Sequence, residues 1–306
     1  MSAAPAALIA VDWGTTSARA YRLDARGEVT GVHAAPLGIQ HVTGGYPDAL
    51  AALLGDWSGE SAPRLACGMI GSRQGWVEAP YVDCPGGLDA LARGIVRTAD
   101  GALAIVPGLA CRGTDGVPDV MRGEETQILG AIADGAKPTL AILPGTHSKW
   151  ALVRAGAITA FSTHMTGELF AVLREHSILG RMLAPLEAAF AAEAFALGAR
   201  RGAERGAELL HLLFGVRTLA LLNGLTPEKA RDYLSGLLIG CEIAAGRAWV
   251  EASGVPLDAA LLIGSRALCG RYATALREAG TAARIAPEDA AARGLWRVAR
   301  AASLVR

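Results

Sequence analysis

The sequence predicts an α/β fold in two domains, on three observations. Apolar runs of strand length alternate with segments of helical spacing along the chain, the pattern of layered α/β proteins. The opening order of strand, Gly-Thr bend, strand, glycine hairpin, strand recurs: with an offset of 131 (145 − 14), Gly14-Thr15-x-Ser17 falls on Gly145-Thr146-x-Ser148. The 306 residues, 52% hydrophobic and 19% charged, supply two ordinary cores at ~150 residues per domain. Each half therefore opens with a β-meander flanked by helices. The boundary is expected near Asp134–Lys137, giving domains 1–136 and 137–306.

In chain order, Leu8–Val11 is a short apolar run ending in Asp12-Trp13-Gly14-Thr15-Thr16. Ser17–Leu23 and Glu28–Ala34 show period-2 patterning around the turn Asp24-Ala25-Arg26-Gly27, which completes an antiparallel meander. Asp48–Leu54 reads as helix, Leu65–Ile70 as buried strand, Leu88–Arg97 as helix, Leu103–Val106 as strand and Glu124–Ala133 as helix. The second half starts with strands at Thr139–Leu143, Trp150–Val153 and Ile158–Ser162, the last two joined by Arg154-Ala155-Gly156. Helices follow at Gly167–His176, capped by Thr166, at Pro185–Leu197 and at Ala203–Phe214. A long helix opens at Thr226-Pro227-Glu228, where threonine at the cap and proline at the first helical position form a start signal. Strand Ala259–Ile263 ends at Gly264-Ser265 and feeds helix Arg266–Ala279; strand Ala283–Ile285 and a helix from Pro287 close the chain.

Several function classes are excluded by composition. Basic and acidic residues balance at 29 each, so no net charge draws the chain to nucleic acid or an anionic membrane. Cys67, Cys84, Cys111, Cys241 and Cys269 are odd in number and lack CxxC spacing, which argues against a disulfide framework or zinc site and for a reducing cytoplasm. No basic leader precedes the apolar run Ala6–Val11. The greasy stretches Leu209–Leu225 and Tyr233–Val250 are broken by Arg217 and Glu242, short of the ~20 apolar residues a membrane span needs. A homodimer is left open.

The two Gly-Thr bends carry the chemistry. Glycine lets a backbone approach closely, and clustered N–H groups with neighbouring hydroxyls suit phosphate oxygens. Gly14, Thr15 and Thr16 in one bend, and Gly145, Thr146, Ser148 and Lys149 in the other, can grip a triphosphate from both sides of an interdomain cleft. A carboxylate beside phosphate is repulsive without a divalent cation, so Asp12 reads as a water-mediated Mg²⁺ contact. Gly264-Ser265, at a strand end before a helix, suits close approach of a base or ribose.

Five strings go further: Asp12-Trp13-Gly14-Thr15-Thr16, the segment from Gly68 to Trp76 (GMIGSRQGW), Met121 to Gln127 (MRGEETQ), Leu143 to Trp150 (LPGTHSKW) and Met165 to Phe170 (MTGELF). Together they closely resemble the 2-dehydro-3-deoxygalactonokinase family, within the actin/hexokinase/Hsp70 ATPase superfamily, from Leu8 to about Ser265. The resemblance implies a two-domain actin-like ATPase (ribonuclease H-like) fold, with ATP and Mg²⁺ as cofactors. It also implies phosphorylation of the C6 hydroxyl of 2-dehydro-3-deoxy-D-galactonate in galactonate catabolism. Residues 1–136 would then carry the first phosphate loop and the acceptor site, and 137–306 the second phosphate loop and the adenosine site.

That acceptor is a small keto acid, and arginine's planar fork suits its carboxylate. Arg73, in a Gly-Ser-Arg-Gln-Gly loop, is the first candidate and Arg122 the second; Gln74 adds a hydrogen bond and Trp76 a flat wall. Phosphoryl transfer needs positioning, charge neutralisation and a carboxylate to receive the hydroxyl proton. Related sugar kinases place that carboxylate, usually aspartate, at a loop-to-helix junction. Here the junction is Gly123-Glu124-Glu125, so Glu124 or Glu125 takes the role, with Glu168 behind them. His147 contacts a phosphate or the acceptor, whereas His164 and His176 are structural. The alternatives are a sibling kinase for another small acid or sugar, such as 2-dehydro-3-deoxygluconate or pantothenate, and a non-catalytic sugar- or ATP-binding regulator. Such regulators usually carry a basic helix-turn-helix extension, which a first strand at Leu8 does not accommodate. A dinucleotide-binding dehydrogenase is poorer still, because no GxGxxG follows the first strand.

Overall fold

The computed structural model describes residues 5–113, 116–133, 137, 139–222, 224–255 and 259–306. They divide into unit 1, Met1–Lys137 with Val153–Phe161 and Pro287–Arg306, and unit 2, Pro138–Leu152 with Ser162–Ala286. Of the boundary expected at Asp134–Lys137, all but Lys137 lies outside the described residues.

Unit 1 opens with the expected meander: β1 (Leu8–Trp13), β2 (Ala18–Leu23) and β3 (Val29–Ala35), paired antiparallel from Leu8↔Leu23 to Trp13↔Ala18 and from Ala18↔Ala35 to Leu23↔Val29. After α1 (Tyr46–Leu54), β4 (Arg64–Cys67) pairs parallel with the other edge of β1, Ile9↔Arg64 to Asp12↔Cys67. β1 is thus central and covered on both faces, which is why it reads as a continuous apolar run. Then come β5 (Tyr81–Asp83), β6 (Gly86–Gly87), α2 (Leu88–Arg93), β7 (Val96–Arg97), β8 (Ala104–Ile105), β9 (Gly108–Arg112), β10 (Pro118–Met121) and α3 (Glu124–Ala131). The main sheet has the order β3-β2-β1-β4-β8-β7.

Three local expectations in this unit need correction. The strand expected through Ile70 stops at Cys67, because Gly68 adopts φ +95° and a 3₁₀ turn, Met69–Gly71, follows. The helix expected through Arg97 ends at Arg93, and Val96–Arg97 pairs antiparallel with β8 instead. The small sheet β10-β9-β5 was not foreseen; its strands are short and lack alternation.

Unit 2 repeats the plan with β11 (Thr139–Leu143), β12 (Ser148–Arg154) and β13 (Ala157–His164), the last two strands running on into unit 1. Next come α4 (Thr166–His176), α5 (Ala192–Arg205), α6 (Leu209–Leu222), α7 (Pro227–Ala252), β14 (Ala259–Leu262), α8 (Arg266–Glu278) and β15 (Ala282–Ile285). The order β15-β14-β11-β12-β13 mirrors β8-β4-β1-β2-β3, with β14 parallel to both β11 and β15 as β4 is to β1 and β8. The repeat seen in the sequence is therefore a repeat of topology.

The helices of unit 2 depart from expectation in three places. Thr166 is the first helical residue of α4, and Met165 occupies the cap position without a side-chain cap bond. The helix expected from Pro185 begins at Ala192, because the carbonyls of Pro185, Ala188 and Ala189 accept instead from the buried Arg231 guanidinium. The helix expected over Ala203–Phe214 is split by a 3₁₀ turn at Gly206–Glu208. Thr226 does cap α7, its side chain accepting from the Lys229 N–H at 3.5 Å. α5 and α7 pack backbone to backbone through glycines spaced four apart. A Cβ on Gly198 or Gly202 would stand 2.1 Å from the carbonyl oxygens of Tyr233 and Leu237, and one on Gly236 or Gly240 2.0–2.1 Å from those of Phe195 and Ala199.

α9 (Ala290–Ala301) belongs to unit 1, although the sequence placed all of 137–306 in a second domain. Beside the buried Leu295 and Val298 it carries small residues (Ala290, Ala291, Gly294), and a Cβ on Gly294 would stand 1.9 Å from the Thr126 carbonyl oxygen of α3. Arg297 closes the far end of α3, its Nη1 donating to the Leu129 carbonyl and, at 2.7 Å, to that of Ile132. Trp296 covers Gly27 at the first hairpin.

Candidate active site

Asp12 is the penultimate residue of β1 and faces Arg19 on β2 and Cys67 on β4. Its Oδ2 accepts from Gln127 Nε2 at 3.2 Å, and the Cys67 thiol stands 3.8 Å from Oδ1. Desolvation pushes this carboxyl up to about 6; the Arg19 charge and the Gln127 bond pull the other way, and the Glu124 charge adds to the rise. The bend beyond Asp12 is closed by Gly14 N–H donating to the Ser17 carbonyl at 2.9 Å. It is backed by Ile39 and Gln40 N–H groups on the carbonyls of Gly14 and Thr15, and a Cβ on Gly38 would stand 2.2 Å from the latter. Thr16 remains exposed at the tip.

Glu124 and Glu125 reach this region through stacked glycines. Gly123 has φ +105°, and a Cβ there would stand 2.9 Å from Gly68 Cα; one on Gly68 would stand 2.6 Å from the Trp13 carbonyl oxygen. Neither position accepts a side chain, so the end of β1, the loop after β4 and the start of α3 are held together. The two glutamates have different surroundings. Glu125 is fully buried; its Oε2 accepts from Gly123 N–H at 2.7 Å and its Oε1 from the Thr126 hydroxyl at 2.9 Å. Burial, and then the charge of Glu124, raise its carboxyl to about 8. Glu124 is only partly buried, with Oε2 accepting from Arg122 N–H at 3.0 Å.

The loop that carries Arg73 and Gln74 follows Gly68. It is tied by Trp76 N–H to the Ile70 carbonyl and Ala79 N–H to that of Gly71, both 2.9 Å, and leaves Arg73 and Gln74 exposed. Trp76 supports the loop: its ring stacks on Tyr46 at 5.9 Å, Tyr46 meets Trp13 edge-on at 6.1 Å, and the Tyr46 hydroxyl donates to the Gln74 carbonyl at 2.9 Å. Arg122 is buried beneath, with Nη2 donating to the Ala79 carbonyl at 2.9 Å and the guanidinium 4.3 Å from the Tyr81 ring centroid. Its Nε and Nη1, and the Ser72 hydroxyl, have no hydrogen-bond partner among the described residues.

In unit 2 the second bend exposes Thr146 and His147. The His147 Nε2 pairs with the Glu168 carboxylate, and Glu168 N–H donates to the Thr146 carbonyl at 3.0 Å. A Cβ on Gly167 would stand 2.3 Å from the Gly145 carbonyl oxygen, so the first turn of α4 seats directly on this bend. Ser148 points inward. Its hydroxyl and Trp150 Nε1 donate to Glu242 Oε1 at 2.7 and 2.8 Å, while the Tyr272 hydroxyl donates to Oε2 at 2.5 Å. Lys149 is also buried, its ammonium 3.4 Å from the His147 carbonyl oxygen. Gly264, at φ +146°, passes beside the Pro144 carbonyl and hands the chain to the exposed Ser265, the cap residue of α8. His164 meets Trp150 edge-on at 6.3 Å.

Sequence reasoning missed Gln127, Cys67 and Glu242. Gln127 and Cys67 touch or adjoin the quoted strings, but an amide and an isolated thiol carry no mechanism until Asp12 is seen beside them. Glu242 interrupts an apolar helix, and that interruption was read only as an obstacle to a membrane span.

The fold and these residues have known counterparts. A family model described as 2-keto-3-deoxy-galactonokinase matches residues 12–298. A Rhizobium meliloti protein described as a probable 2-dehydro-3-deoxygalactonokinase is 41% identical over 308 residues, covering 95% of this chain and 96% of its own length. The Escherichia coli 2-dehydro-3-deoxygalactonokinase is 38% identical over 273 residues, 89% of this chain and 90% of that one. A crystal structure from Sinorhizobium meliloti, described as a 2-dehydro-3-deoxygalactonokinase, superposes with TM-score 0.87 at 40% identity over 96% of this chain and 98% of its own. At 14% identity the ADPNP-bound activator of 2-hydroxyisocaproyl-CoA dehydratase from Clostridium difficile superposes with TM-score 0.52 over 97% of this chain and 96% of its own, a likeness of fold alone. The fold is that of the actin-like ATPases, as the strings implied. With a family model spanning nearly all of the sequence and relatives matching over most of their length, the chain belongs to the 2-keto-3-deoxy-galactonokinase family.

Proposed function

We propose that this protein is a cytoplasmic kinase that transfers the γ-phosphoryl group of ATP to the C6 hydroxyl of 2-dehydro-3-deoxy-D-galactonate in the breakdown of galactonate. The observation that carries the reading is the stack of Trp13, Gly68 and Gly123, which sets Asp12 and Glu124 in electrostatic reach of each other next to a Gly-Thr bend.

Thr15 and Thr16 offer N–H groups and hydroxyls to the ATP phosphates, and Gly14, whose own N–H closes the bend on the Ser17 carbonyl, lets the phosphates approach closely. Gly145 and Thr146 do the same from the second bend, Lys149 adds charge there, and Ser148 acts through its backbone N–H because its hydroxyl is committed to Glu242. Gly264 and Ser265 face the adenosine. Mg²⁺ suits Asp12, a partly exposed carboxyl whose ionised form enclosure and the Glu124 charge disfavour, so that a nearby cation would favour it. No group of three or more His, Cys, Asp or Glu that could hold a metal occurs among the described residues; Mg²⁺ usually keeps several waters and takes few carboxylates. When bound, the ion neutralises charge on the transferring phosphoryl group.

Glu124 accepts the proton of the attacking hydroxyl. Glu125 is left as the carboxyl that ties Gly123 to the first turn of α3. Arg73 and Arg122 attract the substrate carboxylate, and Gln74, His147 and Glu168 are polar partners for its hydroxyls. Measuring ADP release against 2-dehydro-3-deoxygalactonate, 2-dehydro-3-deoxygluconate and pantothenate tests the reading. The highest kcat/KM is expected for the galacto acid; no turnover with it, or preference for another acceptor, would overturn the assignment.

A further inference from the structure

Helix α6 (LLHLLFGVRTLALL) buries only Leu212 and Val216, while Leu210, Phe214, Leu221 and Leu222 stand 86, 59, 59 and 81% exposed. Leu210, Phe214, Arg217 and Leu221 follow the spacing i, i+4, i+7, i+11, so they form one stripe on the face opposite Leu212 and Val216. Leu210, Phe214 and Leu221 on the stripe, with Leu222 beside it, are each more than half exposed. Contiguous exposed apolar residues of this kind often mark an interaction surface.

The positions of the stripe are also symmetric along the helix. Reversal about the point between Gly215 and Val216 exchanges Leu210 with Leu221 and Phe214 with Arg217. A two-fold axis pairs each patch with itself, so such a sequence suits an isologous contact. Two α6 helices laid antiparallel would set leucine against leucine at both ends. At the centre, each Arg217 guanidinium would lie over the partner's Phe214, a cation–π contact made twice. Within its own chain the Arg217 Nη1 stands 3.6 Å from the Met182 thioether sulfur, a weak acceptor that competes little.

We propose that this face of α6 is a homodimer interface, with two copies of the chain packed antiparallel through Leu210, Phe214, Arg217 and Leu221. Light scattering after size exclusion, across the micromolar range, would test it on the wild type, Phe214→Arg and the double variant Phe214→Arg/Arg217→Glu. The wild type is expected to be a dimer. Phe214→Arg sets arginine against arginine at both central contacts and should weaken association at least about tenfold. The double variant replaces each contact with an Arg–Glu pair and should restore the dimer. Melting temperature and ADP release report whether each variant folds, and Leu210→Glu, at a more exposed site, provides a second disruption. A monomeric wild type, a dimer indifferent to both single changes, or a double variant that stays monomeric while folded would each overturn the proposal. None of these outcomes depends on which sugar acid is phosphorylated.

Discussion

Glu125→Gln separates the two roles that adjacent glutamates could play. The Glu125 carboxyl is raised from 4.5 to about 8, burial being the main cause and the Glu124 charge the second. Burial, then the Asp12 and Glu125 charges, in turn hold the neighbouring Cys67 thiol well above its ordinary range. Between these two values the native state holds a proton that the unfolded chain releases. The contribution of this group to stability should therefore be full below about pH 4.5 and fall as pH rises toward 8, by on the order of 5 kcal/mol at ~1.36 kcal/mol per unit. Glutamine keeps an oxygen for the Gly123 N–H, now 2.7 Å away, and can donate to the Thr126 hydroxyl. The variant should match the wild type near pH 5 and exceed it at pH 8.5, with kcat reduced only a few-fold. Glu124→Gln should keep most of that pH slope, because burial is its larger cause, and lower kcat about 10²-fold or more. Urea unfolding at pH 5, 7 and 8.5, with ADP release on the same samples, reads both quantities. If Glu125→Gln kept the wild-type slope and lost turnover, Glu125 would be an ionised, reacting carboxylate and the division of roles argued above would be wrong.

Three further outcomes are expected. Ser148→Ala should cost about 1–3 kcal/mol in urea unfolding, since Glu242 loses one of its three donors, while the KM for ATP should move little because the backbone N–H remains. A large rise in that KM at unchanged stability would put the hydroxyl back on the phosphate. Gly236→Ala forces a methyl to within 2.0 Å of the Phe195 carbonyl oxygen and should cost about 1–3 kcal/mol or more, seen as a lowered Tm; Gly270→Ala, with nothing near its Cβ, should not. Arg73→Ala, at an exposed loop position, should leave Tm unchanged and raise the KM for the sugar acid alone by about tenfold or more, the loss of a charged hydrogen bond.

The meander of each unit was legible because period-2 patterning and a glycine turn act within a few residues; Asp24 Oδ1 alone accepts from the N–H groups of Arg26 and Glu28. The helix over 185–191 was misread for the opposite reason. Its carbonyls are taken by Arg231, more than forty residues away, and no local pattern announces such a competitor. α9 shows the same limit at larger scale. Its small face fits α3 in unit 1, but a run of alanine and glycine names no partner. In the site, residue types pointed to Asp12 and to the 124/125 pair. Burial then distinguished the two glutamates, and burial depends on the stacked backbones at Gly68 and Gly123.

The internal repeat shows what kind of information an offset of 131 carries. Each bend ends the first strand of a meander, and each is backed by a distant glycine whose missing Cβ makes room for a bend carbonyl: Gly38 against Thr15, Gly167 against Gly145. The side chains at matched positions do not share surroundings. Ser17 is exposed, whereas Ser148 is fully buried on Glu242. The two bends therefore share a backbone shape, while each hydroxyl serves whatever packs behind it. Matched letters in a duplicated loop are thus evidence for where a phosphate can sit. Which atoms bind it depends on neighbours that the duplication does not include.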